Sequence, residues 1–284
     1  WNNINPIKPY FYFVKKDFDG IEKYESGFSI DSLFEKNSVG IVTSKDAILI
    51  STSKADLKNK VTNTYNIEYK ESLVRRISYR TFDEQYIYYD NNLVDRAREK
   101  LMKHLFFDNI ALVTPKQAIK GFHHVFISRQ ICDKNFIDSA GQYGAGNVFP
   151  LYIYQESIEF LSNDQPVRKR VPNLNLKIVK RIEEIISEKF VNEKELQSDT
   201  FTPLELFDYI YGILHSTKYR EKYKELLKID FPKIPYPKDK ETFWQLVKLG
   251  SELRQIHLLE SPKVEHYITL YPVGGDNSVR KINA

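Results

Sequence analysis

Residues 202–211, Thr-Pro-Leu-Glu-Leu-Phe-Asp-Tyr-Ile-Tyr, carry the strongest helix signal in this 284-residue chain. Thr202 is a preferred capping residue, Pro203 suits the first helical position, and Glu205 places an acid in the first turn. The stretch therefore predicts a helix that runs to about residue 215. Its closely spaced aromatic and aliphatic side chains indicate packing against neighbouring helices.

Three more helices are predicted around this one. Residues 176–190 place isoleucines at helical spacing, 219–228 form a lysine-rich helix, and 241–259 form the longest helix. Residues 230–237 hold three prolines and must be extended, because the residue before a proline avoids helical geometry. Residues 171–262 are thus predicted to form a helical lobe.

The chain before this lobe has mostly strand composition. Short β-prone runs lie at 9–14, 47–50, 72–79, 86–89, 110–114, 124–128 and 148–154. Two helices are predicted among them, at 54–60 after the capping residue Ser53 and at 95–106. The fold class that follows is α/β, of the α+β kind. A β-rich lobe at 1–165 precedes the helical lobe, and 263–284 is expected to be the start of a further, truncated strand segment.

Composition excludes several classes of protein. Hydrophobic residues make up 42% and charged residues 28%, close to globular averages, which excludes a mainly disordered chain. No apolar run approaches the roughly 20 residues that a membrane-spanning helix needs. Cys132 is the single cysteine, which excludes an internal disulfide and a thiolate metal cluster, and the N-terminal residues lack the features of a secretory leader. We therefore expect a cytoplasmic protein with no membrane partner.

Charge is distributed unevenly along the chain. The formal net charge of +4 is compatible with nucleic-acid binding but does not require it. Most of the excess lies in residues 69–170, which carry 15 basic and 12 acidic side chains. Arginine predominates among these basic residues, and its planar guanidinium suits bidentate contacts with phosphates or guanine edges. The distribution of charge thus indicates more about function than its total.

Several segments match one known family in order and spacing. They are 79–90 (YRTFDEQYIYYD), 149–154 (FPLYIY), 207–223 (FDYIYGILHSTKYREKY), 229–235 (IDFPKIP) and 249–262 (LGSELRQIHLLESP). Through them the chain resembles the C-terminal specificity region of type ISP restriction–modification enzymes and related adenine-N6 DNA methyltransferases, over roughly residues 75–275. Two positions depart from the family pattern, which usually has Pro in place of Thr81 and Arg in place of Gln85.

The resemblance implies a target recognition domain that selects the double-stranded DNA sequence to be methylated or cut. In such enzymes an upstream methyltransferase domain carries the AdoMet-binding glycine loop and an Asn-Pro-Pro-Tyr type motif. This sequence contains neither, nor a helicase P-loop. We expect an excised specificity domain with no catalytic residues and no cofactor of its own. The methyltransferase domain of the parent polypeptide would be its second partner, and AdoMet, with ATP and Mg²⁺ as further candidates, would serve the parent enzyme.

A set of polar side chains is predicted to contact DNA. Its members are Arg76, Arg80, Arg96, Arg98, Arg129, Gln130, Lys134, Gln142, Tyr143, Asn147, Arg168, Lys169 and Arg170. The loop at 142–147 is the main candidate for reading bases, since glycine permits close backbone approach and Gln or Asn can bind adenine bidentately. The arginines and lysines would grip phosphates. A flexible strand connection is the alternative for the loop, and solvated surface is the alternative for the basic residues.

Catalytic interpretations have weaker support in the sequence. His123-His124 lacks a third ligand at metal spacing, and His215 and His257 lie on apolar helix faces and are interpreted as core residues. Cys132 has no evident activating partner and is interpreted as inert. No catalytic residue and no metal ligand is therefore assigned.

Two other functions stay open beside DNA recognition. The chain could be a protein-interaction or scaffold domain of a larger enzyme, whose basic surface is incidental. It could also be a degenerate nuclease, on the strength of Glu68-Tyr69-Lys70 with Asp46 or Asp56 upstream.

Overall fold

The fold combines helices with several small sheets. A computed structural model describes residues 20–118, 120–137, 145–160, 166–193, 199–270 and 274, apart from the side chains of 156–160 and 166–168. The prediction of a mixed α/β protein is confirmed. None of the helices within these ranges is long and apolar enough to cross a membrane.

The first part of the chain alternates short helices and strands. Its elements are α1 Ile21–Glu25, β1 Phe28–Ser29, α2 Ile30–Leu33, β2 Ser38–Val39, α3 Asp46–Leu49, β3 Ile50–Ser51, α4 Lys54–Tyr65, a 3₁₀ turn Glu71–Leu73, β4 Val74–Arg80, β5 Asp83–Tyr88, α5 Glu99–Met102, a 3₁₀ turn Lys103–Phe106, β6 Ala111–Pro115, β7 Phe126–Ser128, β8 Ile131–Cys132, β9 Gly146–Pro150, β10 Tyr152–Phe160 and β11 Pro166–Pro172.

The second part is mainly helical. Its elements are α6 Leu176–Ile186, β12 Lys189–Phe190, β13 Thr200–Phe201, α7 Pro203–Leu214, α8 Thr217–Lys222, β14 Lys233–Ile234, α9 Lys240–His257 and a 3₁₀ turn Pro262–Glu265.

Two four-stranded sheets form the centre of the first part. One has the order β3-β5-β4-β8 and the other β2-β9-β6-β7, while β1–β14, β10–β11 and β12–β13 form separate pairs. In the first sheet β4 runs antiparallel to β5 and parallel to β8. In the second sheet β6 runs antiparallel to both β7 and β9. The β1–β14 pair joins the beginning of the described chain to its helical part.

Two hydrophobic clusters make up the core. One includes residues of the β3-β5-β4-β8 sheet, α4, α5, β6 and β9, and in it Leu57 and Ile77 are fully buried. The other surrounds α7, and in it Phe34 and Phe149 pack with ring centroids 5.5 Å apart beside the buried aromatic side chains of the helices. Residues before position 165 therefore share a core with the helices, and the predicted lobe boundaries stay a prediction.

The capping signals in the sequence correspond to real helix starts. The Thr202 side chain accepts from the Glu205 amide at 3.4 Å, and the Glu205 carboxylate accepts from the Thr202 amide at 2.8 Å, which completes a capping box. The Ser53 side chain likewise accepts from the Asp56 amide at the start of α4. Both predicted helices exist, although α4 extends beyond the predicted end at residue 60.

Several predicted elements are shorter or different in the structure. The helix expected at 95–106 begins only at Glu99, because Arg98 has a left-handed backbone with φ 55°. The strand expected at 47–50 is mostly the helical turn α3, and the helix expected at 219–228 ends at Lys222. Residues 266–270 form no strand, contrary to the prediction for that segment, and the strand expected at 9–14 lies outside the described residues.

Helices α7 and α9 cross at very short range. A Cβ atom at Gly250 would lie 1.8 Å from the Asp208 carbonyl oxygen, so only glycine permits this approach. At the same crossing Arg254 donates to both carboxylate oxygens of Asp208, from Nε at 2.7 Å and from Nη2 at 3.1 Å. Both side chains are buried, and burial raises the pKa of Asp208 while Arg254 opposes that shift.

Gly250→Ala should destabilise the protein strongly. The added methyl group would push α9 away from α7, and we expect a loss of about 3 kcal/mol in the free energy of unfolding, the upper end for an overpacked core. Urea unfolding measures this change. Gly274→Ala is the matched control, since nothing lies within 4 Å of the Cβ position there. Equal unfolding midpoints for the two variants would contradict the close helix crossing.

Arg254→Met should also be costly, because it leaves the buried Asp208 carboxylate without its partner. Removing one member of a buried ion pair typically costs about 3–5 kcal/mol. The double variant Arg254→Met/Asp208→Asn should recover part of this loss at neutral pH, since no charge then stays buried. Chemical denaturation of the three proteins would test this, and a double variant less stable than Arg254→Met would argue against it.

Candidate nucleic-acid interface

Backbone hydrogen bonds bring three predicted DNA-contact segments next to one another. Val42 and Arg96 exchange both of their backbone bonds, at 3.2 and 2.9 Å. Ile41 accepts from the Lys134 amide at 2.9 Å, and the Lys134 carbonyl accepts from the Gly146 amide at 3.1 Å. We name this set of bonds the 40–42 ladder. It places Arg96, Lys134 and the end of the predicted base-reading loop side by side.

Of the basic residues at this ladder, Arg96 and Arg98 are exposed and Lys134 is partly buried. Arg96 is more than half exposed and only 3.7 Å from its chain neighbour Asp95. Arg98 is exposed, and its left-handed backbone is an uncommon conformation for a residue other than glycine. Within the described part of the chain, Arg98 and Lys134 form no ion pair. These positive charges are therefore available to a ligand.

A cleft of about 760 Å³ opens beside Arg98. Three basic side chains line it, Lys36, Arg98 and Lys100, together with three acidic ones, Glu35, Asp95 and Glu99, and the polar Asn37, Ser38 and Asn91. Amide, hydroxyl and ammonium groups suit phosphate and sugar contacts in protein–DNA complexes, whereas the carboxylates repel phosphates. Residues 36–38 and Asn91 were missed from the sequence, where no motif distinguishes these positions from ordinary turn residues.

The base-reading loop is described only at its end. Gln142 and Tyr143 lie outside the described residues, and Asn147 lies on β9. The Asn147 side chain donates to the Ala145 carbonyl at 3.2 Å, and its backbone lies in register with Val39 and Thr114. Asn147 thus belongs to the sheet that anchors the loop rather than to the loop itself.

Arg80 supports the segment that precedes this loop. Its guanidinium stacks over Tyr79 at 3.8 Å and donates to Asp133 at 2.8 Å. Burial raises the pKa of Asp133, whereas the Asn135 amide and Arg80 favour its ionised form. Thr81 adds a hydrogen bond to the Phe136 carbonyl at 3.0 Å. The turn that carries Arg80 thereby clamps residues 133–136.

Arg76 and Arg129 line a small cleft together with Arg80 and Thr81 of this turn, and Gln130 follows Arg129 in the chain. Arg76 pairs with Glu84 at 2.6 Å, and Arg129 pairs with Glu260 through Nε at 2.6 Å and Nη2 at 3.1 Å. These carboxylates are themselves partly exposed. Gln130 bonds through its backbone to the Ser128 hydroxyl.

The basic run 168–170 is the third place where predicted DNA-contact residues lie. Arg170 pairs with Glu193 at 2.9 and 3.0 Å and with Asp108 at 3.2 Å, and its guanidinium lies 4.4 Å from the Tyr152 ring centroid. Lys169 is exposed, and the Arg168 side chain lies outside the description. The predicted contacts among the described residues therefore fall in three regions: the 40–42 ladder, the surroundings of the β4–β5 turn, and the run 168–170. Contact of any of them with DNA stays a prediction.

The family is decided by a match over most of the chain. The model of the Type ISP C-terminal specificity domain matches residues 43–284. The chain belongs to this family. The resemblance predicted from the segments at 79–90, 149–154 and 207–262 is thus confirmed, and no curated protein matches the chain.

Solved structures share the fold of this specificity domain. They include the ATP-dependent Type ISP restriction-modification enzyme LlaBIII bound to DNA (TM-score 0.65, 19% identity, covering 90% of this chain and 18% of that one). The DrdV–DNA complex also matches, with a TM-score of 0.66 and 18% identity, and the match covers 90% of this chain and 27% of that one. A nuclease-deletion mutant of the Type ISP restriction-modification enzyme LlaGI in complex with a DNA substrate mimic matches with a TM-score of 0.62 and 20% identity, and this match covers 90% of this chain and 21% of that one. The chain spans between 18% and 27% of the length of these proteins.

The residues considered for a nuclease site in this specificity domain make hydrogen bonds and ring contacts within the fold. Tyr69 stacks on Tyr88, and the Lys70 amide donates to the Tyr88 hydroxyl at 3.2 Å. Asp46 accepts from the Tyr79 hydroxyl at 2.9 Å, and Asp56 from Ser51 at 2.6 Å. Across the described ranges, no group of three or more His, Cys, Asp or Glu side chains could hold a metal ion.

Cys132 is fully buried, and burial raises the pKa of its thiol to about 12. The nucleophilic thiolate form is therefore scarce at neutral pH. This agrees with the prediction that Cys132 is inert.

His215 and His257 form a packed ring cluster in the specificity domain. The Tyr211 hydroxyl lies 2.5 Å from His257 Nδ1, and the rings of Tyr211 and His215 are 4.4 Å apart. Arg220 donates to His215 Nδ1 at 3.2 Å. Burial, reinforced by Arg220 and by His257, lowers the pKa of His215 to about 3, and burial also lowers the pKa of His257. Both histidines pack among aromatic rings as their apolar helix faces predicted, but they are partly rather than fully buried.

This cluster should make the domain sensitive to acid. Between pH 6.5 and about 3 the unfolded chain binds a proton at His215 that the folded chain does not, so stability falls as pH falls. From His215 alone we expect a loss of about 2 kcal/mol between pH 7 and pH 5. Urea unfolding at both pH values should show a smaller loss for His215→Asn than for wild type. His266→Asn removes an exposed histidine and is the control. If His215→Asn lost as much unfolding free energy between pH 7 and pH 5 as wild type does, His215 would not be the cause of the acid sensitivity.

Proposed function

We propose that this chain is the sequence-specific double-stranded DNA recognition module of a restriction–modification DNA adenine methyltransferase. The observation that carries the proposal is its membership of the Type ISP C-terminal specificity domain family. Similar folds in proteins solved with DNA support it. The 40–42 ladder offers a place for the contact, because it gathers the exposed Arg96 and Arg98 and the partly buried Lys134 beside the predicted base-reading loop.

Phosphate contacts and base contacts would be divided within this surface. Arg96, Arg98 and Lys134 would bind phosphates, which sets register and orientation without reading sequence. The loop at 142–147 would read base edges in a groove, where Gln or Asn suits adenine. Polar side chains of the cleft beside Arg98 would add sugar and phosphate contacts.

In this proposal, methyl transfer and DNA cleavage take place in other domains of a longer polypeptide. Methyl transfer from AdoMet to adenine would occur in a methyltransferase domain, the second proposed partner of this chain, and ATP and Mg²⁺ would serve restriction in the parent enzyme. The cytoplasm is the proposed compartment, because DNA and AdoMet are both found there. No catalytic role is proposed for the residues of this chain.

A protein-interaction domain is the second candidate function. The observation that favours it is the pairing of Arg129 with Glu260 and of Arg170 with Glu193, which neutralises part of the basic surface. Exposed pairs of this kind contribute little to stability and can exchange partners, so they do not exclude phosphate contact. Salt dependence separates the two functions.

The purified chain should select a recurring sequence from a pool of random duplexes, and its affinity should fall steeply with salt. Each lost phosphate contact should reduce the slope of log K against log salt by about 0.9. Arg98→Ala/Lys134→Ala should therefore flatten the slope by about 2. The control Lys177→Ala/Lys180→Ala removes the same charge from exposed positions on α6 and should leave the slope unchanged.

Undetectable binding to any duplex at low salt would refute DNA recognition by this chain. Binding without selection of a sequence would refute specificity alone. A slope that responds equally to both double variants would show that the 40–42 ladder is not the contact surface.

A further inference from the structure

The turn between β4 and β5 presents an aromatic ring to solvent. Arg80 pairs with Asp83, so Thr81 and Phe82 form a two-residue turn. Phe82 has φ 60° and is 60% exposed. Glycine, asparagine and aspartate are the residues that adopt positive φ at turns with little strain. A bulky aromatic residue at this position is thus both strained and largely unburied.

The contacts of Phe82 within the fold do little to offset this backbone strain. Its nearest ring contacts are edge-on, with centroids 6.0 Å from Phe126 and 6.4 Å from His257. Strained residues persist where the surrounding structure holds them, and they are concentrated at functional sites. The conformation therefore points to a contact outside the chain.

A second residue repeats this combination across a small cleft. Leu259 has φ 58° and is also 60% exposed. Phe82 and Leu259 both line a cleft of about 350 Å³ whose other lining residues include Phe126, Phe136 and His257. Two apolar side chains are thus presented together on one surface.

Three arginines, Arg76, Arg80 and Arg129, line this cleft. Each is paired with a carboxylate, of Glu84, Asp133 and Glu260 respectively. The pairs of Arg76 and Arg129 are partly exposed, and exposed pairs contribute little to stability, so a phosphate can compete for these two guanidinium groups. An aromatic ring flanked by arginines is the arrangement with which proteins stack bases and hold the adjoining backbone. An aromatic ring beside guanidinium groups favours DNA over an apolar protein partner.

The cleft is also connected to the proposed interface. The Phe82 turn is tied to residues 133–136 by the bond from Thr81 to the Phe136 carbonyl and by the pair between Arg80 and Asp133. Lys134 follows directly and belongs to the 40–42 ladder. A duplex that lies along the ladder would therefore be close to the Phe82 ring.

We propose that Phe82, with Leu259 beside it, is an apolar contact to a base step of duplex DNA. The ring stacks on an exposed base face or inserts between neighbouring base pairs, as apolar side chains do in proteins that kink DNA. The inference rests on the proposed function, since it needs DNA to bind this chain. It adds a contact that none of the predicted polar residues supplies.

Phe82→Gly tests the proposal because glycine relieves the positive φ and removes little buried surface. We expect an unfolding midpoint at least as high as wild type, together with about ten-fold weaker binding to a mixed-sequence duplex. Phe82→Trp should keep wild-type affinity. Leu249→Ala, which shortens another exposed apolar side chain on α9, is the control and should bind as wild type does.

Duplexes with 2-aminopurine at successive positions report stacking directly. Wild type should change the fluorescence at one or two neighbouring positions, and Phe82→Gly should abolish that change. If wild type binds no duplex, the proposed function fails and this inference fails with it. If wild type binds and Phe82→Gly matches it in affinity and fluorescence, only this inference is overturned, and the ring belongs to a protein contact. An unfolding midpoint of Phe82→Gly below that of wild type would show that the ring stabilises the fold, and it would also overturn the proposed base contact.

Discussion

The crossing of α7 and α9 is the contact on which the helical part depends. Gly250 lets the two backbones touch, and Asp208 and Arg254 fix their register through a buried bidentate pair. Buried pairs of this kind favour one arrangement, because any shift leaves a charge without a partner. The same crossing sets His257 against Tyr211 and brings Leu259 to the cleft that it shares with Phe82. A helix contact in the core thus positions part of the surface.

A second constraint acts on the first part of the chain. Asp133 is buried and would be unfavourable there without Arg80, which reaches it from the β4–β5 turn. Because Asp133 directly precedes Lys134, this pair also fixes one side of the 40–42 ladder. Arg80 therefore shapes the proposed interface even if it never contacts DNA. The arginine-rich middle of the sequence divides into residues that build the surface and residues, such as Arg98, that stay available on it.

Sequence reasoning succeeded where the signal is local. Thr202 and Glu205 form the predicted capping box, and α6 and α9 lie close to their predicted positions. It could not assign individual arginines, because their partners are distant in sequence: Arg129 binds Glu260, and Arg170 binds Asp108. Short strands such as β2 and β8 were equally difficult to predict, since pairing with distant strands defines them. The cleft beside Arg98 likewise joins residues 35–38 to 91–101, which no spacing rule connects.

The two departures from the family pattern have local compensations. Thr81 donates to the Phe136 carbonyl, a bond that proline cannot make, and Gln85 donates to Asp83 within the same hairpin. The bond from Thr81 holds Phe136 before the predicted base-reading loop. The bond from the Gly146 amide to the Lys134 carbonyl holds the end of the loop. Neither anchor uses a side chain from 138–144. Substitutions in that segment can therefore change what the loop contacts without removing either anchor, which is the separation that a specificity domain needs in order to change its target and keep its fold.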